Sequence, residues 1–226
     1  MPTPLLEVIA LDAADARAAA AGGADRLELV TNMAADGLTP SLRTVAAIRA
    51  VCDIQLRVML RLREDFAPTD LDELARLATK LAEAGADGFV LGFLGADGTI
   101  DLDSTRQLAR AVGLPWTCHR VVDHTRDHAE AMAAVRSLPG LDQVLTAGHP
   151  DGVSSGMDNL RAAVSLVPVM AGGGLRPSQV PILRDCGVNA FHIGSAARPN
   201  WASPVSARQV AKWRELVNDC DTTVTS

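Results

Sequence analysis

The sequence predicts a closed (β/α)8 barrel, and three observations carry that expectation. Short apolar runs alternate with helical stretches eight times, four of the helix-to-strand joins carry a glycine, and polar residues interrupt the strands with a period of two. Strict alternation with short joins implies parallel strands linked by crossover helices. Eight units of roughly 28 residues suit a barrel slightly more compact than the usual ~250 residues. A doubly wound open sheet is the competing arrangement. Residues 1–218 are assigned to one barrel domain, and the polar stretch 219–226 to a disordered tail.

The elements follow in order. The first strand is Leu5–Ala10. Gly22 and Gly23 close a helix and deliver the chain into Arg26-Leu27-Glu28-Leu29. The third apolar run is Ile54–Leu62, and the helical stretch Leu71–Ala84 ends at Gly85 before Gly88-Phe89-Val90-Leu91. The fifth run is Leu114–Val122, and Gly140 precedes Gln143-Val144-Leu145-Thr146. The seventh is Val167–Ala171, and Gly187 follows the helix Ser178–Cys186 and turns into Ala190-Phe191-His192-Ile193. Glycine suits these joins because the residue after a helix end takes the left-handed conformation, which penalises any Cβ.

Composition narrows the function. A net charge of −6 without a Lys/Arg run argues against nucleic acid and anionic membranes as partners. Four scattered Cys (Cys52, Cys118, Cys186, Cys220) suit reduced thiols in the cytoplasm better than disulfides. The start MPTPLLEVIA has neither a basic segment nor a long apolar one, so no secretory signal is expected, and no apolar run reaches the ~20 residues of a membrane span.

What the strands present points to a site. In the third strand, Gln55, Arg57, Met59, Arg61 and Arg63 alternate with Leu56, Val58, Leu60 and Leu62, so three Arg share the lumenal face. Arg57 either pairs with a carboxylate deep in the core or belongs to the site, whereas Arg61 and Arg63 lie at the carboxyl end, where barrel sites form. Glu7, Glu28, His119 and His192 are likewise flanked by outward apolar residues and aim inward. Buried carboxylates and imidazoles are costly unless paired, so one network with the Arg residues is expected. In Thr117-Cys118-His119-Arg120-Val121-Val122-Asp123, Thr117 and His119 face the lumen, Cys118 faces the helices, and Arg120 and Asp123 occupy the rim. Gly172-Gly173-Gly174 after strand seven and Gly194-Ser195-Ala196-Ala197-Arg198 after strand eight form a candidate phosphate cradle, since glycine lets backbone amides approach an anion closely.

These motifs resemble the CutC family, named for copper homeostasis. The resemblance rests on Leu6-Glu7-Val8, Gly23 to Leu29, Gly37-Leu38-Thr39-Pro40-Ser41 and Met59-Leu60-Arg61-Leu62-Arg63. It extends through Gly92-Phe93-Leu94 with Asp97-Gly98 and Asp101, His119-Arg120 with Asp123, and Val144-Leu145-Thr146-Ala147-Gly148, covering residues 5 to about 200 in order. It implies a cytoplasmic TIM-like barrel with a link to copper, and it adds Thr146 and Gly148 to the substrate-binding candidates. Two departures fall at the site. The family's Arg-Pro-Arg-Gly-Gly-Asp-Phe reads Arg61-Leu62-Arg63-Glu64-Asp65-Phe66 here, and one extra residue separates His192 from Ser195-Ala196.

Two functions remain open from the sequence. In the first, Glu7, Glu28, His119, His192 and Asp123 supply acid–base groups, and Arg61, Arg63, Arg120 and the glycine loops hold a small anionic substrate. Neither Lys80 nor Lys212 lies on a strand, which excludes a lumenal Schiff base and with it pyridoxal phosphate. No dinucleotide fingerprint points to NAD or FAD. Proton transfer, lyase or hydrolytic chemistry remains, with or without a divalent ion on Glu7 and Glu28. In the second, the protein handles copper without catalysis, drawing on Met33, Met59, His119 and His192, because Cu(I) favours sulfur ligands and Cys118 points away. His124, His128 and His149 are read as solvated, and a homodimer is compatible with either function.

Overall fold

The computed structural model describes residues 3–219. Eight strands alternate with eight α-helices: β1 (Leu5–Ala10), α1 (Ala13–Ala21), β2 (Arg26–Leu29), α2 (Leu42–Arg49), β3 (Gln55–Met59), α3 (Leu71–Glu83), β4 (Gly88–Leu91) and α4 (Leu102–Val112) form the first half. The second half is β5 (Trp116–Cys118), α5 (His128–Val135), β6 (Leu141–Thr146), α6 (Val153–Ala163), β7 (Val169–Ala171), α7 (Val180–Asp185), β8 (Ala190–Ile193) and α8 (Ala207–Asn218). All strand pairs are parallel, and β1 pairs with both β2 and β8, so the barrel closes and the open sheet is excluded. The expected tail lies outside the described residues apart from Asp219. No helix among the described residues is long and apolar enough to cross a membrane.

Glycines with positive φ stand at the four predicted joins: Gly23, Gly85, Gly140 and Gly187. Helices start on side-chain caps, as where the Asp12 carboxylate accepts from the Ala14 and Asp15 amides and Asp70 from Asp72 and Glu73. The outward strand residues, including Leu6, Val8, Leu27, Leu29, Leu56 and Val58, form the main core under the helices, and Cys118 lies fully buried in it.

Three strands are shorter than their apolar runs: β7 starts only at Val169, and β3 and β5 stop early. β3 ends at Met59, and the chain beyond it is bound into loop contacts through Arg61. β5 ends at Cys118 because the next residue caps a tight 3-10 turn: the His119 imidazole accepts the Val121 amide, so Val121 and Val122 belong to the turn Arg120–His124. Hydrophobicity alone does not distinguish a buried turn from a buried strand.

Register decides which lumenal side chains meet. Glu7 stands level with Arg26 of β2 on one side and with His192 of β8 on the other. Glu28 stands level with Ile9 and Arg57. Arg57 pairs with Asp142 near the amino end; the pair lies off the cavity, but the carboxylate is half-buried and not deep in the core as expected. Ile9, Val30, Met59 and Val90 form a separate apolar cluster beside the charged groups.

Candidate active site

A cavity of about 220 Å³ opens at the carboxyl end of the barrel. Glu28, Arg61, His119, Arg120, Gly173, Gly174, His192, Gly194 and Ser195 line it. Glu7 lies one layer below, fully buried.

The floor is a chain of charges running upward. Arg26 Nε donates to Glu7 Oε2 at 2.5 Å, Glu7 Oε1 bonds His192 Nδ1 at 2.8 Å, and His192 Nε2 stands 3.7 Å from Glu28 Oε2. Arg26 Nη2 also donates to Gln143 Oε1. Burial alone would raise the Glu7 pKa, but Arg26 and His192 outweigh it and hold the carboxyl at about 2. Glu28 lacks such a partner. Burial lifts it to about 7, opposed by His192 and reinforced by Glu7, and its Oε1 has no hydrogen-bond partner. Burial lowers the His192 pKa, yet Glu28 and Glu7 overcome that and raise it. One carboxylate is therefore fixed as an anion while the other stays poised near neutrality, a division that suits proton transfer.

His119 sits in a different setting. Its Nε2 is buried and unpaired, the Phe66 ring packs 5.2 Å away, and Arg61 lies 4.1 Å from that ring. Burial and Arg61 push its pKa down to about 3.

Several predicted residues take other roles. All five Arg61 donors are engaged by backbone carbonyls: Nε by Arg63, Nη1 by Asp36 and Gly37, and Nη2 by Ala35 and Glu64. Arg61 thus lines the cavity but ties two loops together, which leaves no donor for an anion. Arg63 is exposed outside the cavity and pairs with Asp65. Asp123 is buried rather than at the rim. It accepts from Arg120, from the Thr146 hydroxyl, and from the amides of Ala147 (2.9 Å) and Gly148 (3.1 Å). With its acceptor capacity spent, Asp123 latches the turn after β5 to the loop after β6, and Thr146 and Gly148 belong to that latch and not to the cavity. Gly172 also lies off the cavity lining, packed closely against Leu145 and His192.

Residues the sequence reading missed complete the site. Arg26 was detectable, since it lies two positions before Glu28 and therefore on the same face. Phe66, held at φ +56°, and Trp201 supply apolar wall from loops. His124 lines the cavity and is exposed, as expected, whereas His128 is half-buried and bonds Thr146 at 3.0 Å, and His149 is half-buried.

The donors do not fit a copper or divalent-metal site. Both Glu7 oxygens and both His192 nitrogens face ionic partners, Cys118 is sealed in the core with its thiol pKa raised by burial, and Cys52 and Cys186 are far apart in the chain at helix ends. Among the described residues, no three or more His, Cys, Asp or Glu are grouped to hold a metal ion. Single Cys→Ala replacements at Cys52, Cys118, Cys186 and Cys220 are expected to leave any Cu(I) uptake intact in competition with a chromogenic chelator. Loss of uptake in several of them would establish a cooperative thiolate site.

Comparisons with known proteins agree with the motifs. The sequence profile of the CutC family matches residues 5–197. A CutC family protein of Mesorhizobium japonicum is 36% identical over 202 residues, covering 85% of this chain and 78% of that one. A Xanthomonas axonopodis pv. citri relative is 35% identical over 199 residues, covering 84% and 82%. Among solved structures, one described as the copper homeostasis protein CutC of Streptococcus agalactiae superposes with a TM-score of 0.77 at 24% identity, covering 85% of this chain and 98% of that one. The barrel, the order of its site motifs and this breadth of match lead to one conclusion: the chain belongs to the CutC family.

Proposed function

We propose that this CutC protein is an enzyme performing general acid–base chemistry on a small anionic, phosphorylated substrate at the carboxyl end of its barrel. The observation that carries the reading is Glu28: a cavity-lining, buried carboxyl with an unpaired oxygen, raised toward neutrality by burial beside a relay that ends in a fixed ion pair. The relay gives each residue a task. Arg26 holds Glu7 ionised, Glu7 fixes the orientation of His192, and His192 sets the charge beside Glu28 from 3.7 Å.

The anion belongs on the loops after β7 and β8. Gly173 has φ +92°, and a Cβ there would meet the Arg120 guanidinium at 2.8 Å. Arg120 spends Nε on Asp123 and Nη2 on the carbonyls of Pro150 (3.0 Å) and His149 (3.3 Å), which leaves Nη1 beside Gly173 without a hydrogen bond. A guanidinium arm beside glycine backbone suits a phosphate. Binding there holds the anion in ground and transition state alike, while Glu28 acts on the reacting atoms. The net charge of −6 and the scattered thiols favour a small-molecule partner and a cytoplasmic setting. A copper-handling role draws support from the family's name, but these residues offer no donor set for it.

Isothermal titration of inorganic phosphate and small sugar phosphates tests the reading. Gly173→Val is expected to weaken binding at least tenfold, about 1.4 kcal/mol, by straining the turn and displacing Arg120. Negligible binding by the wild type would remove phosphate from the proposal.

A further inference from the structure

We infer that His119 is a neutral hydrogen-bond donor to a carbonyl oxygen of the substrate, and that Glu28 takes the proton from the adjoining carbon. The reaction is then the enolisation of a small anionic carbonyl compound. This step rests on the acid–base reading above and gives it a reaction class.

The ring's own hydrogen bond sets its tautomer. His119 Nδ1 accepts the Val121 amide at 3.2 Å. A nitrogen whose lone pair receives a backbone N–H carries no proton, so the neutral ring carries its proton on Nε2. That N–H is buried, unpaired, and borne by a side chain that lines the cavity. An orphan donor of this kind costs about 1–3 kcal/mol, a cost that a ligand acceptor removes.

The neighbours oppose a charged ring. Phe66 packs on His119, Gly92 stands close to its Cε1, the nearby Arg61 is cationic, and no carboxylate bonds it. His192, by contrast, lies between two glutamates. The two histidines thus have opposite chemistry: one accepts a proton readily, and the other keeps a single N–H.

Two cavity-lining residues thus each carry a buried atom without a hydrogen-bond partner, the acceptor Glu28 Oε1 and the donor His119 Nε2–H. A carbonyl with a neighbouring C–H satisfies both. Glu28 Oε1 takes the proton, the C–H pair becomes the C=C bond, and the carbonyl π pair moves onto oxygen. Negative charge grows on that oxygen, and the His119 N–H bond strengthens with it. The Glu28 carboxyl then returns its proton to the same carbon, so no oxidant or further reactant is needed. One donor aimed at a developing oxyanion is worth about 10²–10³ in turnover.

Two measurements on the full chain decide the matter. In ¹⁵N-histidine NMR of the wild type at pH 7, His119 is expected as the neutral Nε2–H tautomer, a result that needs no variant. In D₂O, dihydroxyacetone phosphate, ribulose 5-phosphate and pyruvate serve as probes, and at least one is expected to lose its α-proton signal above the buffer rate. His119→Ala should slow that exchange by about 10²–10³ with little change in KM. His119→Gln, which keeps a neutral N–H near the Nε2 position, should restore most of it. An imidazolium or an Nδ1–H tautomer, exchange unaffected by His119→Ala, or no exchange of any probe would overturn the inference. Phosphate titration of the same samples judges the substrate-binding reading separately.

Discussion

Arg26→Met is expected to destabilise the protein by about 3–5 kcal/mol, the largest loss from any single lumenal replacement at this site. The substitution keeps an apolar stem but leaves Glu7 ionised and fully buried, with only His192 beside it. It also removes the donor to Gln143. Desolvation of a lone carboxylate costs more than a cavity of similar size, so the damage comes from the stranded charge. Adding Glu7→Gln should therefore recover part of the loss, because removing both members of a buried pair costs less than removing one. Urea unfolding reads both variants. A loss below about 1 kcal/mol for Arg26→Met, ordinary for a single substitution, would show that the pair does not hold the floor together. Acid gives a second readout. Glu7 has a folded-state pKa of about 2, below the ordinary 4.5, so its contribution is complete above pH 4.5 and is lost as pH falls toward 2. Stability of the double variant should vary less across that window.

Glu28→Gln is expected to reduce turnover by about 10²–10⁴ while leaving phosphate affinity nearly unchanged. The amide matches the carboxyl in shape and cannot take a proton, so only the chemical step suffers. The pH profile follows from its surroundings. Burial raises Glu28 to about 7, His192 opposes that, Glu7 reinforces it, and Arg26 and Arg61 oppose it more weakly. A base must be ionised to act, so kcat/KM should rise with pH through about 7. The step belongs to the Glu28–His192 pair together, since the two share one proton's titration. The same shift predicts a stability gain. A carboxyl whose folded pKa is raised supports folding below pH 4.5 and costs stability as pH rises through 7. Glu28→Gln should thus be more stable than the wild type at pH 8, and the difference should fade below pH 4.5. Equal activity of the variant and the wild type would remove Glu28 as the base.

The sequence by itself determined the barrel and its polar lumen. Glycine at the helix-to-strand joins and the period of two in runs such as Gln55 to Leu62 are local properties. Each follows from the backbone geometry of a few consecutive residues, and so the inward aim of Glu7, Glu28, His119 and His192 could be read directly. The partnerships within the lumen could not. That Glu7 stands between Arg26 and His192 depends on the register of β1 with β2 and β8, which closure of the whole barrel sets. Arg61 and Asp123 show the same limit from the other side. Their residue types invite an anion site and an acid–base role, but loop carbonyls occupy every donor of the first, and amides, a hydroxyl and Arg120 occupy the second. A polar side chain is available for chemistry only after the backbone groups around it have been satisfied. Those groups arrive from loops distant in sequence, so the tertiary structure alone decided that the cavity-lining Glu28 and His119 each keep a polar atom without a hydrogen-bond partner.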